Sequence, residues 1–231
     1  MTTVLLRTPN WTGGAPAPLP WTEALAVPAR PGRDDLATAL GTPGLSRLVV
    51  AGTDADLAAV VLRLLRTERL AEVAVAYLPA AGWSGRSSGV AAVWGLPTEP
   101  GAAALLAVRG EPEPVPLVRD DVGGVLLGHG ELHPVRGVVY CDDQLVLRGQ
   151  AGRLHAIPAV PDGVGVRVAR IGVLGLRTVS AVGRAVQVGC LSATVVSDGV
   201  EHPRPVTRWT WYRHTEPLRL VRGVVVGPPT P

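Results

Sequence analysis

The chain has 231 residues, of which 47% are hydrophobic and 18% charged, so a globular protein is expected rather than a disordered one. The net charge is +3, but the 22 basic residues are all arginines scattered along the sequence, which argues against a nucleic-acid-binding or polybasic membrane surface. Because the sequence contains no lysine, it cannot supply a P-loop lysine or a Schiff base.

The first ten residues lack the arrangement of a secretion signal, and no apolar run is long enough for a transmembrane helix. We therefore expect a cytoplasmic protein with no transmembrane segment. Cys141 and Cys190 both lie in apolar strand-like runs, so we interpret them as reduced core cysteines. The oligomeric state does not follow from the sequence.

Strand-like and helix-like segments alternate in the first half of the chain. The predicted elements are a strand at Thr3–Arg7, a helix at Arg33–Leu40, a strand at Leu48–Ala51, a helix at Ala55–Arg69, a strand at Val73–Leu78 and a helix at Glu99–Val108. Such alternation is typical of a parallel sheet covered by helices.

Beyond about Val115, helical periodicity is nearly absent, and short β-type runs separated by turn signals take its place. The runs are Gly124–Leu127, Val135–Cys141, Leu145–Arg148, Val164–Ile171, Ala185–Gly189, Leu191–Val196, Pro205–Tyr212 and Leu218–Val226. Gly172–Gly183 has a less clear pattern, and we interpret it as a loop that crosses between sheets. The spacing predicts an antiparallel sandwich or barrel.

The sequence thus predicts an α/β plus all-β fold. Residues 1–112 form a parallel α/β lobe of the nucleotide-binding type, and residues 113–231 form an antiparallel β-sandwich lobe. The last strand either stays in the second lobe or returns to the first. A cleft between the lobes is the expected position for a ligand.

The most informative stretch is residues 48–65, where a strand, a tight turn and an amphipathic helix follow one another. A helix N-terminus after such a turn directs backbone N–H groups and a positive dipole end at whatever lies above it, which favours an anion. The turn itself carries Asp54 and Asp56. Two hypotheses stay open: a Mg²⁺ ion shared by both carboxylates and a phosphate, or two acids that cap their own helix.

The loop Trp83–Gly89 is a second candidate for anion binding. It offers the guanidinium of Arg86 and the hydroxyls of Ser84, Ser87 and Ser88 before a helix. The alternative is a surface loop in which Ser87 or Ser88 caps that helix.

The order of these features resembles the catalytic domain of the diacylglycerol kinase family, which includes sphingosine kinases and, more distantly, NAD kinases. Gly52–Leu57 stands where that family has a Gly-Gly-Asp-Gly-Thr-Leu phosphate turn, and Thr8-Pro9 with Gly13-Gly14 is similar to its N-terminal Asn-Pro and Gly-rich stretch. Further similar segments are Pro79, Gly85–Gly89 and Gly95-Leu96-Pro97 in the first lobe, and Ser197-Asp198-Gly199 at a late hairpin turn. The resemblance covers most of the chain.

The resemblance implies ATP-dependent phosphorylation of a lipid or small alcohol, with ATP and Mg²⁺ as cofactors. The ligand would be a nucleotide or another anionic small molecule, with a lipid as a further candidate. The cofactor-binding residues that it implies are Pro9, Gly13, Gly52, Thr53, Asp54, Ala55, Asp56, Gly85, Arg86, Ser87 and Ser88. It also implies Asp54 and Asp56 as metal ligands and Asp198 as the catalytic acid that accepts the substrate proton. A plain Asp-Gly hairpin turn is the alternative for Asp198.

Several residues depart from the family pattern. Thr53 and Ala55 replace glycines and add Cβ atoms where the backbone must approach a phosphate closely. Asp56 replaces a threonine, and Ser88-Gly89 stands in place of Asn-Asp. These departures favour an alternative function, a catalytically inactive relative that acts as a binding or interaction module. A site of the NAD kinase or nucleotide-sugar type is a third hypothesis.

The five histidines predict no zinc site, because none are paired at helical spacing and the nearest two, His129 and His133, have no cysteine beside them. Trp209 and Trp211 fall on one face of a predicted strand. We expect them in the core, with an apolar wall for a lipid-like ligand as the alternative.

Overall fold

Two kinds of apolar pattern, continuous runs and alternating runs, separate the chain into two units. The computed structural model describes residues 2–11, 23–80, 88–172 and 175–223. Unit 1 contains the described residues up to Val115 and those from Glu216 onward, and unit 2 is Pro116–Thr215.

The elements of unit 1 before residue 116 begin with β1 (Thr2–Arg7), β2 (Glu23–Ala26), α1 (Ala37–Gly41), β3 (Leu45–Gly52) and α2 (Asp54–Arg66). They continue with β4 (Ala74–Pro79), α3 (Gly89–Trp94), α4 (Pro100–Arg109) and β5 (Pro112–Val115).

Unit 2 follows with β6 (Val118–Asp120), β7 (Val125–Leu126), β8 (Gly130–His133), β9 (Val135–Cys141), β10 (Gln144–Ala151) and β11 (Arg153–Ala159). Its remaining strands are β12 (Gly163–Gly172), β13 (Gly175–Gly183), β14 (Ala185–Ser197), β15 (Val200–Glu201) and β16 (Val206–Arg213). The chain then returns to unit 1 with β17 (Leu218–Val221).

The strands of unit 1 form one mixed sheet in the order β2-β1-β3-β4-β17-β5. The pairs from β2 to β17 are parallel, and β17 with β5 is antiparallel. The central strands β3 and β4 are apolar almost throughout and are buried along most of their length, as expected for a parallel sheet with both faces covered. Helix α2 buries the apolar face that the sequence predicts, including Leu57, Val60 and Leu64.

The strands of unit 2 pair in antiparallel fashion, in the order β13-β12-β11-β8-β14-β16-β6-β7, with β9 and β15 also pairing with β14 and β10 pairing with β9. The pairing of β14 with β16 shifts register between Gly189 and Ala193. The first half of β14 also pairs with β9, and its second half pairs with β8. Side chains of strands on both sides of this shift pack in one buried cluster, which includes Val139 of β9, Leu154 of β11 and Trp211 of β16.

The predicted fold class, a parallel α/β part followed by an antiparallel all-β part, is confirmed. Several predicted elements were wrong. Gly172–Gly183 is not a loop, because Gly175–Gly183 pairs with β12 along its length; its glycines obscure the alternation. The predicted strands Ala185–Gly189 and Leu191–Val196 are one bent strand, and the helix predicted from Arg33 begins only at Ala37.

The last predicted strand lies in the sheet of unit 1, where β17 pairs with β4 and β5. Both thiols are free: Cys141 is buried and Cys190 is half-buried, and burial raises the pKa of each. Among the described helices, none has both the length and the apolar character that a membrane span requires.

Candidate functional site

The turn between β3 and α2 is closed by its own side chains. Thr53 is the N-cap of α2, and its hydroxyl accepts a hydrogen bond from the backbone N–H of Asp56 at 3.3 Å. The Asp56 carboxylate in turn accepts from the Thr53 backbone N–H at 2.9 Å, which completes a capping box. The alternative that both acids cap their own helix is therefore present for Asp56 only.

The Asp56 carboxylate is fully buried and meets donors from three segments of unit 1. Its donors are the Thr8 hydroxyl (2.9 Å), the Asn10 side-chain amide (3.3 Å), the Arg30 backbone N–H (2.7 Å), and the backbone N–H and hydroxyl of Thr53 (2.9 Å each). Burial opposes ionisation, but the N–H groups of Thr53 and Arg30 and the two hydroxyls outweigh it and hold the pKa of Asp56 below its usual value. Asp56 thus ties the ends of β1 and α2 to the loop after β2.

Gly52 is required by this arrangement. A Cβ at this position would lie 2.6 Å from the Thr8 hydroxyl oxygen and 2.7 Å from Asp56 Oδ2. Both atoms belong to one buried hydrogen bond, which a Cβ at position 52 would force apart. The glycine that the resemblance assigns to phosphate approach therefore makes room for two side chains of the protein itself.

Asp54 links the same turn to β4 and α3. Its Oδ1 atom accepts hydrogen bonds from the hydroxyls of Tyr77, at 2.8 Å, and of Ser88. Its Oδ2 atom accepts from the backbone N–H groups of Gly89 at 2.7 Å and Val90 at 3.3 Å. Burial and then the Asp54 charge raise the pKa of Tyr77 well above its usual value, so this hydroxyl stays a donor. Asp54 places its negative charge at the first N–H groups of α3, where a helix stabilises an anion.

The remaining predicted site residues of unit 1 are only partly described. Gly13, Gly85, Arg86 and Ser87 lie outside the described residues, as does most of the Trp83–Gly89 loop. Pro9 is exposed next to Thr8, and Ala55 is half-buried in the first turn of α2. Ser88 is the N-cap of α3, and its hydroxyl accepts a hydrogen bond from the Ala91 backbone N–H at 3.0 Å. This is the helix cap that the sequence analysis gave as the alternative to anion binding.

Asp198 lies in a tight hairpin turn of unit 2 and is buried. Asp198 and Gly199 both have positive φ, the pattern of a type I′ turn between β14 and β15. The Asp198 carboxylate accepts hydrogen bonds from three consecutive backbone N–H groups, those of Leu127 and Gly128 at 2.8 Å and His129 at 2.9 Å. The predicted catalytic acid thus holds the segment before β8 in place.

Three further polar residues of unit 2 come together in a way that the sequence prediction missed. His129, Glu131 and His155 present ligand atoms within 4.8 Å of one another. Burial, and then the facing His129, lower the pKa of His155. The two histidines are far apart in sequence, and only the register of β8 with β11 brings them together, so no local spacing could have revealed the cluster. Trp209 and Trp211 are buried in the core of unit 2, as expected.

No family model matches this sequence, and a search of curated proteins finds no match. Solved structures do resemble it, and they define the class: a two-lobe fold shared by diacylglycerol kinases and NAD kinases. The resemblance found in the sequence is therefore confirmed at the level of the fold.

The particular structures include a diacylglycerol kinase from Bacillus anthracis str. Sterne, with a TM-score of 0.68 and 13% identity over 97% of this chain and 98% of that one. An NAD kinase from Archaeoglobus fulgidus, solved in complex with ATP, has a TM-score of 0.55 and 13% identity over 96% of this chain and 94% of that one. Yeast NADH kinase, complexed with NADH, has a TM-score of 0.51 and 9% identity over 97% and 84%.

Proposed function

We propose that this protein is a non-phosphorylating relative of the lipid and NAD kinases, which keeps their fold and acts by binding. One observation carries the proposal: the four carboxylate oxygens of Asp54 and Asp56 all accept hydrogen bonds from the protein itself. In a kinase, such a turn must instead leave backbone N–H groups for phosphate and oxygen atoms for Mg²⁺.

Electrostatics support the same conclusion. Each carboxylate repels a phosphate about 4 Å away by about 4 kcal/mol at an effective dielectric constant of 20. A helix N-terminus returns only about 0.3–1 kcal/mol per charge. A Mg²⁺ ion between the carboxylates and the phosphate would turn this repulsion into attraction. To bind the ion, however, the fully buried Asp56 carboxylate would have to lose the hydrogen bonds that it accepts from Thr8 and Thr53. As folded, the turn does not fit the ion.

A second candidate is a Mg²⁺-dependent kinase that phosphorylates a lipid, a small alcohol or NAD. The fold favours it, because diacylglycerol and NAD kinases match this chain over at least 96% of its length. In that case Gly52–Asp56 would hold ATP and Asp198 would accept the substrate proton. The two candidates differ in whether Asp54 leaves the start of α3 when nucleotide binds.

The deciding experiment measures transfer of labelled phosphate from ATP to diacylglycerol and to NAD, with and without Mg²⁺. The Bacillus anthracis diacylglycerol kinase serves as the positive control for the assay. We expect no transfer to either acceptor. Transfer that elutes with the protein on size-exclusion chromatography would overturn the proposal, whereas transfer that separates from the protein identifies a contaminating kinase. Loss of genuine transfer in Asp198→Asn would in addition identify Asp198 as the proton acceptor.

A thermal-shift panel provides an independent measurement. A ligand at 100 times its dissociation constant stabilises a protein by about 2.7 kcal/mol, which is several degrees for a chain of this size. We expect MgATP to leave the melting temperature unchanged. A shift with MgATP that Asp54→Asn abolishes would support the kinase candidate.

Restoring the family turn tests the same point from the opposite direction. Thr53→Gly, Ala55→Gly and Asp56→Thr together should create no turnover, because Asp54 still occupies the start of α3. Since loss of Asp56 costs stability, the double variant that keeps Asp56 is measured alongside it. A clear gain of phosphoryl transfer in either variant would contradict the proposal.

A further inference from the structure

The polar cluster of unit 2 is built by strand geometry. His129 is the last residue before β8 and Glu131 is the second residue of that strand, and His129 Nδ1 lies 3.9 Å from Glu131 Oε1. In the antiparallel pair of β8 and β11, Glu131 lies directly opposite His155. Residues of β8, of β11 and of the segment just before β8 therefore converge.

The distances within the cluster are short. His129 Nε2 lies 3.0 Å from His155 Nδ1, and Glu131 Oε1 lies 3.7 Å from His155 Nδ1 and 3.9 Å from His129 Nδ1. Zn²⁺ binds nitrogen and oxygen at about 2.0–2.2 Å, so tetrahedral ligand atoms are about 3.3–3.6 Å apart. Each imidazole offers one nitrogen to an ion, and the three ligand atoms of the cluster lie within 4.8 Å of one another. Side-chain rotations that move these atoms by about 1 Å would bring them to the tetrahedral spacing.

Arg153 supports the carboxylate from outside the cluster. Its Nη1 atom lies 3.0 Å from Glu131 Oε2 and 3.3 Å from Oε1. The guanidinium thus contacts both carboxylate oxygens, and Oε1 also faces the two histidines. An outer group of this kind fixes the orientation of a carboxylate ligand.

A cavity of about 410 Å³ adjoins the two imidazoles. Its lining includes His129, His155, Ile157, Arg167 and Ser180. Arg167 lies directly opposite His155 on β12, and Ser180 lies opposite Arg167 on β13, so a polar row crosses the sheet next to the cluster. In the neighbouring row, Gly165 has no side chain between Ile157 and Val182, which opens the space.

We propose that His129, Glu131 and His155 bind a divalent transition-metal ion, with Zn²⁺ preferred, and that an open coordination position accepts an anionic group held by Arg167. Two imidazoles and a carboxylate form a ligand set that suits Zn²⁺ and leaves a fourth position for a ligand. The guanidinium of Arg167 pairs well with a carboxylate or phosphate, and Ile157 and Val182 provide an apolar wall. The ligand class is therefore a small molecule with an anionic head and an apolar body.

This inference does not depend on whether phosphoryl transfer occurs, because it uses residues of unit 2 alone. The first test titrates metal-stripped full-length protein with Zn²⁺ in competition with a chromogenic chelator. We expect one equivalent to bind, and His129→Ala, His155→Ala and Glu131→Gln each to weaken binding at least about tenfold. His202→Ala and Glu201→Gln, which alter the same residue types outside the cluster, should bind as the parent does.

Two outcomes would overturn the metal site. One is no stoichiometric binding, which leaves an N–H···N hydrogen bond between the two imidazoles as the explanation of their contact. The other is equal binding in the cluster variants and the controls. Folding of each variant is checked by its far-ultraviolet circular dichroism, and because the rings are 41% and 30% exposed, the histidine variants should remain folded.

The second test examines the cavity. Co²⁺ replaces Zn²⁺, and its visible absorption is followed while inorganic phosphate or acetate is added. We expect either anion to change the spectrum of the parent protein and of Arg136→Ala, an exposed arginine of the same unit. Arg167→Ala should need at least about tenfold more anion, because it lacks the charge that holds the ligand. An equal response in all three proteins would contradict the role of Arg167.

Discussion

The β3–α2 turn of unit 1 and the histidine cluster of unit 2 both bring ionisable side chains into contact. They differ in how many hydrogen bonds these side chains make with the rest of the protein and in how exposed they are. The Asp56 carboxylate is fully buried and accepts hydrogen bonds from five donor groups. The side chains of His129, Glu131 and His155 are 41%, 21% and 30% exposed, and the two imidazole nitrogens face each other.

The difference separates a structural role from a binding role. A buried charge with all its donors in place is stabilised in one conformation and has nothing left for a ligand. Half-exposed imidazoles that point at each other beside a cavity have lone pairs that a cation can use. We call the Asp56 carboxylate and its donors from Thr8, Asn10, Arg30 and Thr53 the Asp56 clamp; it stands where the kinases that the sequence resembles have their phosphate turn.

The largest expected effect is a loss of stability when the Asp56 clamp is broken. Asp56→Ala leaves the donors of Thr8, Asn10, Arg30 and Thr53 without their acceptor, and should lower the free energy of unfolding by about 3–4 kcal/mol. Urea denaturation followed by tryptophan fluorescence measures it. Asp34→Ala, at an exposed position, should change stability by less than about 0.5 kcal/mol. Equal losses in both variants would mean that the clamp does not stabilise unit 1.

The pH dependence of stability tests the same carboxylate. Because the pKa of folded Asp56 is lowered, its contribution to stability is complete above the ordinary aspartate pKa of about 3.9 and is lost as the pH falls through the lower folded pKa. The parent protein should therefore lose more stability than Asp56→Asn between about pH 5 and acid pH. Asp120, whose pKa burial raises, has the opposite sign but is common to both proteins and cancels in the difference.

Thr8→Val keeps the Asp56 carboxylate and removes one of its donors, so its acid-induced loss should lie between those of the parent and Asp56→Asn. Identical pH profiles for all three proteins would show that Asp56 has the same pKa in the folded and unfolded states.

Much of the fold follows from local sequence patterns. The role of each site residue instead depends on its contacts with residues that are distant in sequence. The buried strand Leu48–Ala51 and the apolar face of the helix after it are visible in a few residues, and the structure has both. The partners of Asp56 are not visible, because Thr8 is 48 residues away in sequence. Strands β8 and β11 were not predicted, because glycine, histidine and proline interrupt their apolar patterns. Without these two strands, the pairing of His155 with Glu131 could not be predicted either.

A smaller effect is expected at Asp198. Asp198→Ala leaves three backbone N–H groups without an acceptor and puts alanine at φ 48°, so a loss of about 3 kcal/mol is expected. Asp198→Asn tolerates the same φ and keeps one acceptor oxygen, so about 1–2 kcal/mol is expected. Asp143→Ala, exposed at another turn of unit 2, provides the control. A catalytic role with no structural one would instead leave the stability of both Asp198 variants at the parent value.

The smallest effect should come from the histidine cluster when no metal is present. His129→Ala removes a ring that is 41% exposed and whose close polar partner is a second imidazole at 3.0 Å, so metal-stripped protein should lose less than about 1 kcal/mol. With Zn²⁺ at 100 times its dissociation constant, the parent should gain about 2.7 kcal/mol and the variant far less. Thermal unfolding with and without the ion measures both quantities. A large loss in the stripped variant would show that the two rings stabilise unit 2 in the same way that Asp56 stabilises unit 1, and the contrast between the two regions would disappear.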